Sequence, residues 1–314
     1  MITMNIACVG EMVIDFLPGS GEGEYIRKAG GAPANVAVAV ARNGLDAGFC
    51  GKVGNDDFGR FLVKTLEKEN VAVLCPQLCE EAVTTMAFVS LDEHGDRSFT
   101  FARKPGADML LTVDEVERSG AATADMVHAG SCSLSRAPAS DATVYAMRKA
   151  KENGKLVSFD VNYRNLMWND DRAACCEAVR KILPLVDFLK ISEEELDVPG
   201  VAPEKIGEVY GISVVVTTLG GDGAVCYWNG RKISIPGRKA RVVDTTGAGD
   251  AFWGGFLSCL LKSNVRTTAD LSEDLLKKAL VYGNVAGWLC VQQKGAMESL
   301  PSTQQIEAIA KEEV

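Results

Sequence analysis

Short apolar runs bounded by glycine and polar turns recur along the chain, with the spacing of alternating strands and helices. Residues 4–9 form one such run, read as a buried strand that ends at Gly10. Residues 13–17 and 25–29 read as two further strands, joined by the Pro18-Gly19-Ser20-Gly21 turn. Residues 33–42 (PANVAVAVAR) are small and apolar, which suits a helix packed tightly on a sheet and ended by Gly44. A strand over 47–53, a helix over 57–69 and a strand from Val71 follow. Residues 84–91 and 97–101 predict a hairpin that turns at Asp92-Glu93-His94-Gly95-Asp96.

Beyond Pro105 the order becomes regular. Strands at 126–129, 156–160, 188–191 and 214–218 alternate with helical stretches such as 141–153. Strand and helix in alternation predict right-handed βαβ units and a largely parallel sheet covered on both faces. Ligands on such sheets bind where loops converge at the carboxyl ends of the strands. The early strand pairs, within 11–29 and 84–104, fit that alternation poorly and read as a small antiparallel flap inserted into the main domain. No low-complexity segment, repeat or linker divides residues 1–314, so one domain is expected.

Composition narrows the partners. A chain of 314 residues can bury one large α/β core. Its net charge of -9 and pI near 5.0 argue against a nucleic-acid binder, which needs a basic face. The ten cysteines are scattered, and with only His94 and His128 no zinc-ligand spacing closes, so they read as reduced, small buried hydrophobes. The opening residues carry no basic stretch and no long apolar run; neither secretion nor membrane spanning is expected, and a cytoplasmic location is. His128 lies in an apolar strand and reads as a core histidine, and Trp253, Trp288 and Met297 read as core packing.

The chemistry concentrates in residues 242–256, VVDTTGAGDAFWGGF. A strand end runs through Gly247-Ala248-Gly249 into an apolar helix, a turn that offers backbone N–H groups and the positive end of a helix dipole to an anion. Asp250 stands in the first turn beside that anion site. Phosphoryl transfer needs both parts: fixed donors for the equatorial oxygens and a carboxylate that accepts the proton of the attacking hydroxyl. A glycine turn capped by an acidic residue is the plain structural alternative for Gly-x-Gly-Asp alone; the full string points to chemistry.

The string DTTGAGDAFWGGF resembles the second signature of the ribokinase-like (PfkB) carbohydrate kinases, and Gly30-Gly31-Ala32-Pro33-Ala34-Asn35 resembles the first. The resemblance covers almost the whole chain. It implies a ribokinase-like three-layer α/β/α core with a small inserted β-sheet lid over the sugar, formed by 11–29 and 84–104, and a homodimer through that lid. It also implies Asp250 as catalytic base, Gly247, Ala248 and Gly249 as anion hole, and Asp15, Gly30, Gly31 and Asn35 as sugar ligands. By themselves Asp15 reads as a strand-edge carboxylate and Asn35 as a helix-start cap.

The same resemblance extends to further residues. Phe101 and Arg103 on the second lid hairpin would face the sugar, although basic side chains on exposed strands, Arg97 included, usually guard an edge. Arg164, after Asp160-Val161-Asn162, matches the family arginine near the sugar and transferred phosphate. Lys190, Ser192, Thr218, Gly220, Gly223 and Asn284 would border the nucleotide, with Ser192 in place of the family's usual asparagine. Glu195 stands where magnesium is held through water, in a glutamate run that otherwise reads as a solvated first turn. Asp244, Thr246, Gly295 and Ser299 match positions of a potassium site. The implied cofactors are ATP, Mg2+ and K+.

Within the family, Gly10-Glu11-Met12-Val13-Ile14-Asp15-Phe16 and the stretch from Lys104 to Leu111 resemble fructokinases, with lysine and glycine replacing two residues of the latter pattern. Transfer of the ATP γ-phosphoryl group to the 6-hydroxyl of D-fructose is therefore the expected reaction. A 2-keto-3-deoxygluconate or related sugar-acid kinase is the competing reading, and Arg97, Arg103 and Arg164 would supply its cations. A sugar-sensing pseudokinase is the non-enzyme reading, opposed by the presence of Asp250 and its glycine turn. Neither the dinucleotide-binding Gly-x-Gly-x-x-Gly after the first strand nor the P-loop Gly-x-x-x-x-Gly-Lys-Ser/Thr is present.

Overall fold

The computed structural model describes residues 4–21, 23–91 and 97–311. The turn at 92–96 with His94 lies outside the described residues, and so does the side chain of Arg97. The strands are β1 (Ile6–Val9), β2 (Val13–Pro18), β3 (Tyr25–Gly30), β4 (Ala47–Cys50), β5 (Val71–Val73), β6 (Met86–Leu91), β7 (Arg97–Ala102), β8 (Met126–Gly130), β9 (Leu156–Asp160), β10 (Phe188–Ser192), β11 (Val214–Thr218), β12 (Gly223–Trp228) and β13 (Arg231–Pro236). The helices are α1 (Ala32–Arg42), α2 (Asp57–Lys68), α3 (Val113–Ser119), α4 (Ala139–Glu152), α5 (Arg172–Ile182), α6 (Pro203–Tyr210), α7 (Ala248–Lys262), α8 (Glu273–Cys290) and α9 (Thr303–Ala310).

The main sheet runs β13-β12-β11-β10-β9-β8-β1-β4-β5. It is parallel from β11 to β5 and ends in the antiparallel hairpins β11–β12–β13 at one edge. Alternate residues of its strands enter two cores, as the two-residue period of a strand requires. Ile6, Met126, Phe188 and Val216 pack with α1, α2, α7, α8 and α9. Ala7, Val127, Leu189 and Val215 pack with α3, α4, α5 and α6 on the other face. Strands buried on both faces read as continuous apolar runs, which is why β8 to β11 were visible in the sequence.

A second sheet has the order β3-β2-β6-β7. The expected all-antiparallel flap is corrected here: its central pair, β2 and β6, is parallel, with Ile14 beside Met86. Both strands leave the main core in the same direction, so they cannot meet head to tail. Phe16 stacks on Phe88 at 4.8 Å and meets Phe58 of α2 edge-on at 5.5 Å, fastening this sheet to the core. Arg27 caps the Phe61 ring at 4.0 Å, and Lys28 pairs with Glu298 at 2.9 Å. Among the described residues, no helix is long and apolar enough to cross a membrane.

Candidate active site

The loops after β1, β8, β9 and β11 and the start of α7 surround two adjoining clefts, both at the carboxyl ends of strands. Two close approaches set their junction. Gly247 takes a left-handed φ of 79° as the N-cap of α7, and a Cβ there would lie 3.0 Å from Ala296 Cα. Gly254, two turns into α7, lies against Ala39 of α1 with no room for a side chain, so the two helices press together. Asn35 on α1 therefore reaches Asp250 on α7: Asn35 Nδ2 donates to Asp250 Oδ2 at 2.7 Å.

The first cleft, about 410 Å3, lies between the small sheet and α7. Asp15, Gly31, Asn35, Phe101, Arg164, Gly247, Gly249 and Asp250 line it, together with Glu11, Asn162 and Thr245. Burial lifts Asp250 from the usual carboxylate range to about 6, against the hydrogen bond from Asn35 and the nearby Lys190 and Arg164. Burial likewise raises Asp15 to about 6, opposed by Arg164. Gly30 does not line the cleft; it packs against Asp15 Oδ2. Arg164 opens to solvent and donates to the Tyr163 carbonyl at 3.0 Å.

Arg103 departs from its expected place. Its guanidinium is buried and does not itself line the cleft, with Nε and Nη2 on Asp108 Oδ2 at 2.9 and 2.7 Å and Nη1 on Ser135 and on the carbonyl of the lining residue Met167. Asp108 also accepts from Thr85. An arginine expected to face the sugar thus forms a buried tie between the end of β7 and the loops beside the cleft.

The second cleft, about 690 Å3, is lined by Thr218, Gly220, Gly223, Thr245, Ala248, Gly249 and Asn284 among others. Thr245 and Gly249 line both clefts, so the α7 turn is their common wall. Ala248 N–H is turned to the Thr245 carbonyl at 3.2 Å, which occupies one of the three amides expected in the anion hole. Asn284 Nδ2 holds the Pro236 carbonyl at 3.3 Å. Trp288, expected in the core, is instead half-buried on this cleft; its indole N–H donates to Lys239 O at 2.8 Å and Arg238 lies over its ring. An apolar helix face looks the same in sequence whether it meets a core or a cleft.

Beneath the junction, Lys190 Nζ donates to Asp160 Oδ2 at 2.6 Å, and a Cβ on Gly249 would lie 3.3 Å from that ammonium. Burial alone would push Lys190 down; Asp160 overrides it and keeps the ammonium charged. Lys190 and Ser192 line neither cleft. Glu195 is buried and accepts Tyr163 N–H at 2.6 Å and Ser192 N–H at 2.8 Å, so it pins the loops after β9 and β10. Asp244 Oδ1 accepts from Thr246 N–H and Oγ1, Oδ2 accepts from Gly295 N–H, and Ser299 donates to the Gly295 carbonyl at 2.5 Å. All four residues matched to a potassium site are thereby one oxygen-rich cluster. No group of three or more His, Cys, Asp or Glu side chains gathers for a metal among the described residues. His128 is buried against Ser158 at 3.0 Å and held neutral by burial, as a core histidine should be.

Residues 3–303 match the model of the pfkB family carbohydrate kinases. The chain belongs to that family. The kinase is 38% identical over 309 residues to fructokinase-2 of Zea mays, covering 95% of this chain and 91% of that one. Its fold superposes on the fructokinase of Xylella fastidiosa solved with bound ATP, with a TM-score of 0.88 at 30% identity over 98% of both chains. The fructokinase of Vibrio cholerae O395, solved with fructose, ADP and calcium, gives 0.85 at 34% identity over 98% and 99%. The kinase thus has the ribokinase-like α/β fold with a mostly parallel sheet and a small separate one, as the motifs implied.

Proposed function

We propose that this kinase transfers the γ-phosphoryl group of ATP to the 6-hydroxyl of D-fructose. The observation that carries this reading is the Asn35–Asp250 pair at the junction of the two clefts, where Thr245 and Gly249 belong to both walls. A hydroxyl in the first cleft and a phosphate chain in the second would meet there. Asp250 takes the hydroxyl proton, Asn35 fixes its carboxylate, and the helix dipole with the Gly247 and Gly249 amides of the α7 turn faces the transferring group. Arg164, charged and at the cleft mouth, balances the anionic product.

The charge of the first cleft favours a neutral sugar. Glu11, Asp15 and Asp250 supply three carboxyl groups there, and Arg164 is the cation among the described lining residues. Arg103 and Lys190 are each already paired with an aspartate. A sugar acid would bring a carboxylate among these three carboxyl groups, and the sugar-acid reading loses Arg103, one of the cations that had supported it. The named fructokinase relatives support fructose as the neutral sugar.

The donor sets fit the implied ions. Asp244, Thr246, Gly295 and Ser299 present hard oxygens suited to K+, and Glu195 beside the Asp160–Lys190 pair would hold Mg2+ through water, since that ion keeps waters and phosphates as ligands. The metal supplies charge neutralisation on the phosphates. The four-stranded sheet with exposed Tyr25 and Ile26 on β3 would serve as the lid and dimer contact. Ten free, buried cysteines suit a reducing cytoplasm. Phosphorus and carbon NMR of the product tests the reaction: a phosphate ester on C6 of fructose is expected, and an ester at C1 would refute the assigned regiochemistry.

A further inference from the structure

Glu11 follows β1 and forms part of the floor of the first cleft, yet nothing in the reaction above employs it. It is 3% exposed, and its Oε2 finds no hydrogen-bond partner among the described residues. Buried carboxylate oxygens without partners are costly, so such an atom on a cleft wall points to a ligand that supplies one. Gly31 packs directly on the Glu11 carbonyl, which fixes the backbone from which the side chain projects.

Resting on the neutral-sugar reading, we propose that Glu11 is a sugar-binding residue whose unpartnered oxygen engages one hydroxyl of the substrate in the protonated carboxyl form, so that sugar binding takes up a proton.

Every charged group facing Glu11 bears on that form. Asp108, after β7, and Asp250, on α7, disfavour a further negative charge, while Arg103 favours it but is held by Asp108. Asp15 and Arg164 share the cleft, and Cys132 lies beside it as a buried neutral thiol. Burial is the largest influence and lifts Glu11 to about 7, against a hydrogen bond from its own amide. A sugar filling the cleft strips the remaining water and favours the neutral carboxyl further. A protonated carboxyl also gives the floor a donor, which Asp15 and Asp250 cannot supply as carboxylates.

The test is KM for fructose from pH 6.5 to 8.5 in the wild type, Glu11→Gln and Glu11→Ala. Wild-type KM rises about fivefold between pH 7 and pH 8, because affinity is lost as the proton leaves. Glu11→Gln has no proton to lose, and its KM stays level with pH; Glu11→Ala raises KM at every pH. A purely structural glutamate would move KM without changing its pH dependence. Level wild-type KM, or the same rise in the glutamine variant, overturns the proposal and leaves the substrate reading standing. A wild type that turns over no neutral sugar overturns both. Should Glu11→Gln fail to fold, calorimetry of the wild type in two buffers of different ionisation heat decides: proton uptake on sugar binding at pH 7.5 supports the proposal, and zero uptake contradicts it.

Discussion

Asn35 Nδ2 and Asp250 Oδ2 lie 2.7 Å apart although 215 positions separate them in the chain. The contact exists because Gly254 lets α7 settle against α1, and it joins the two glycine-rich signatures into one site. It also leaves Asn35 Oδ1 without a partner among the described residues, on the wall of the first cleft.

Asp250→Asn separates chemistry from binding. It lowers kcat by on the order of a thousandfold, the scale of a lost general base, with KM for sugar and ATP nearly unchanged. Steady-state kinetics with active-site titration checks this, and wild-type turnover would remove Asp250 from the mechanism.

The same substitution stabilises the protein at pH 8. Burial lifts Asp250 from 3.8 to about 6, so its ionised form is disfavoured in the folded state above pH 3.8. Stability from this group falls as pH rises from 3.8 to 6, and the folded protein carries the full penalty above 6. Asparagine removes it, on the order of 2 kcal/mol, read as a higher Tm by calorimetry.

The pH profile carries the other face of that shift. Asp250 acts as a base only when ionised, so kcat falls about tenfold per unit below pH 6. A profile flat from pH 7 to pH 4.5 contradicts the raised value.

Arg103→Ala acts on stability. It leaves Asp108 buried without its cation, a loss of about 3–5 kcal/mol, measured by urea unfolding. A normal unfolding midpoint with a large rise in sugar KM would return Arg103 to the substrate.

Trp288→Phe removes most of the fluorescence change on nucleotide binding, since of the four tryptophans Trp168 and Trp253 are buried, Trp228 lines neither cleft and Trp288 lines the second. Trp288→Ala raises KM for ATP about tenfold and leaves the sugar KM alone. An unaltered nucleotide response would place the base elsewhere.

The sequence made the parallel core and the two signatures legible, because buried β8 to β11 are largely apolar runs and the glycines of α7 form a distinctive string. It did not reveal the parallel β2–β6 pairing, since a partner some seventy positions away leaves no trace in local pattern. Arg103 was expected at the sugar because nothing in the strand pattern points to its partner Asp108, which lies past the strand end in a short 3-10 helix. Glu11 escaped notice as a polar residue beside a glycine, where carboxylates are ordinarily solvated; the signal was its place between the buried run Ile6–Val9 and the buried start, Val13 and Ile14, of the next strand.

A coupled ADP-release assay with ATP, magnesium and potassium, ranking fructose, ribose, 2-keto-3-deoxygluconate, glucose and adenosine by kcat/KM, tests the central claim most directly. Fructose leading by at least about a hundredfold, roughly 2.7 kcal/mol of transition-state discrimination, is the predicted result. 2-Keto-3-deoxygluconate leading would contradict the neutral-sugar reading of the cleft and turn Arg164 into a carboxylate reader.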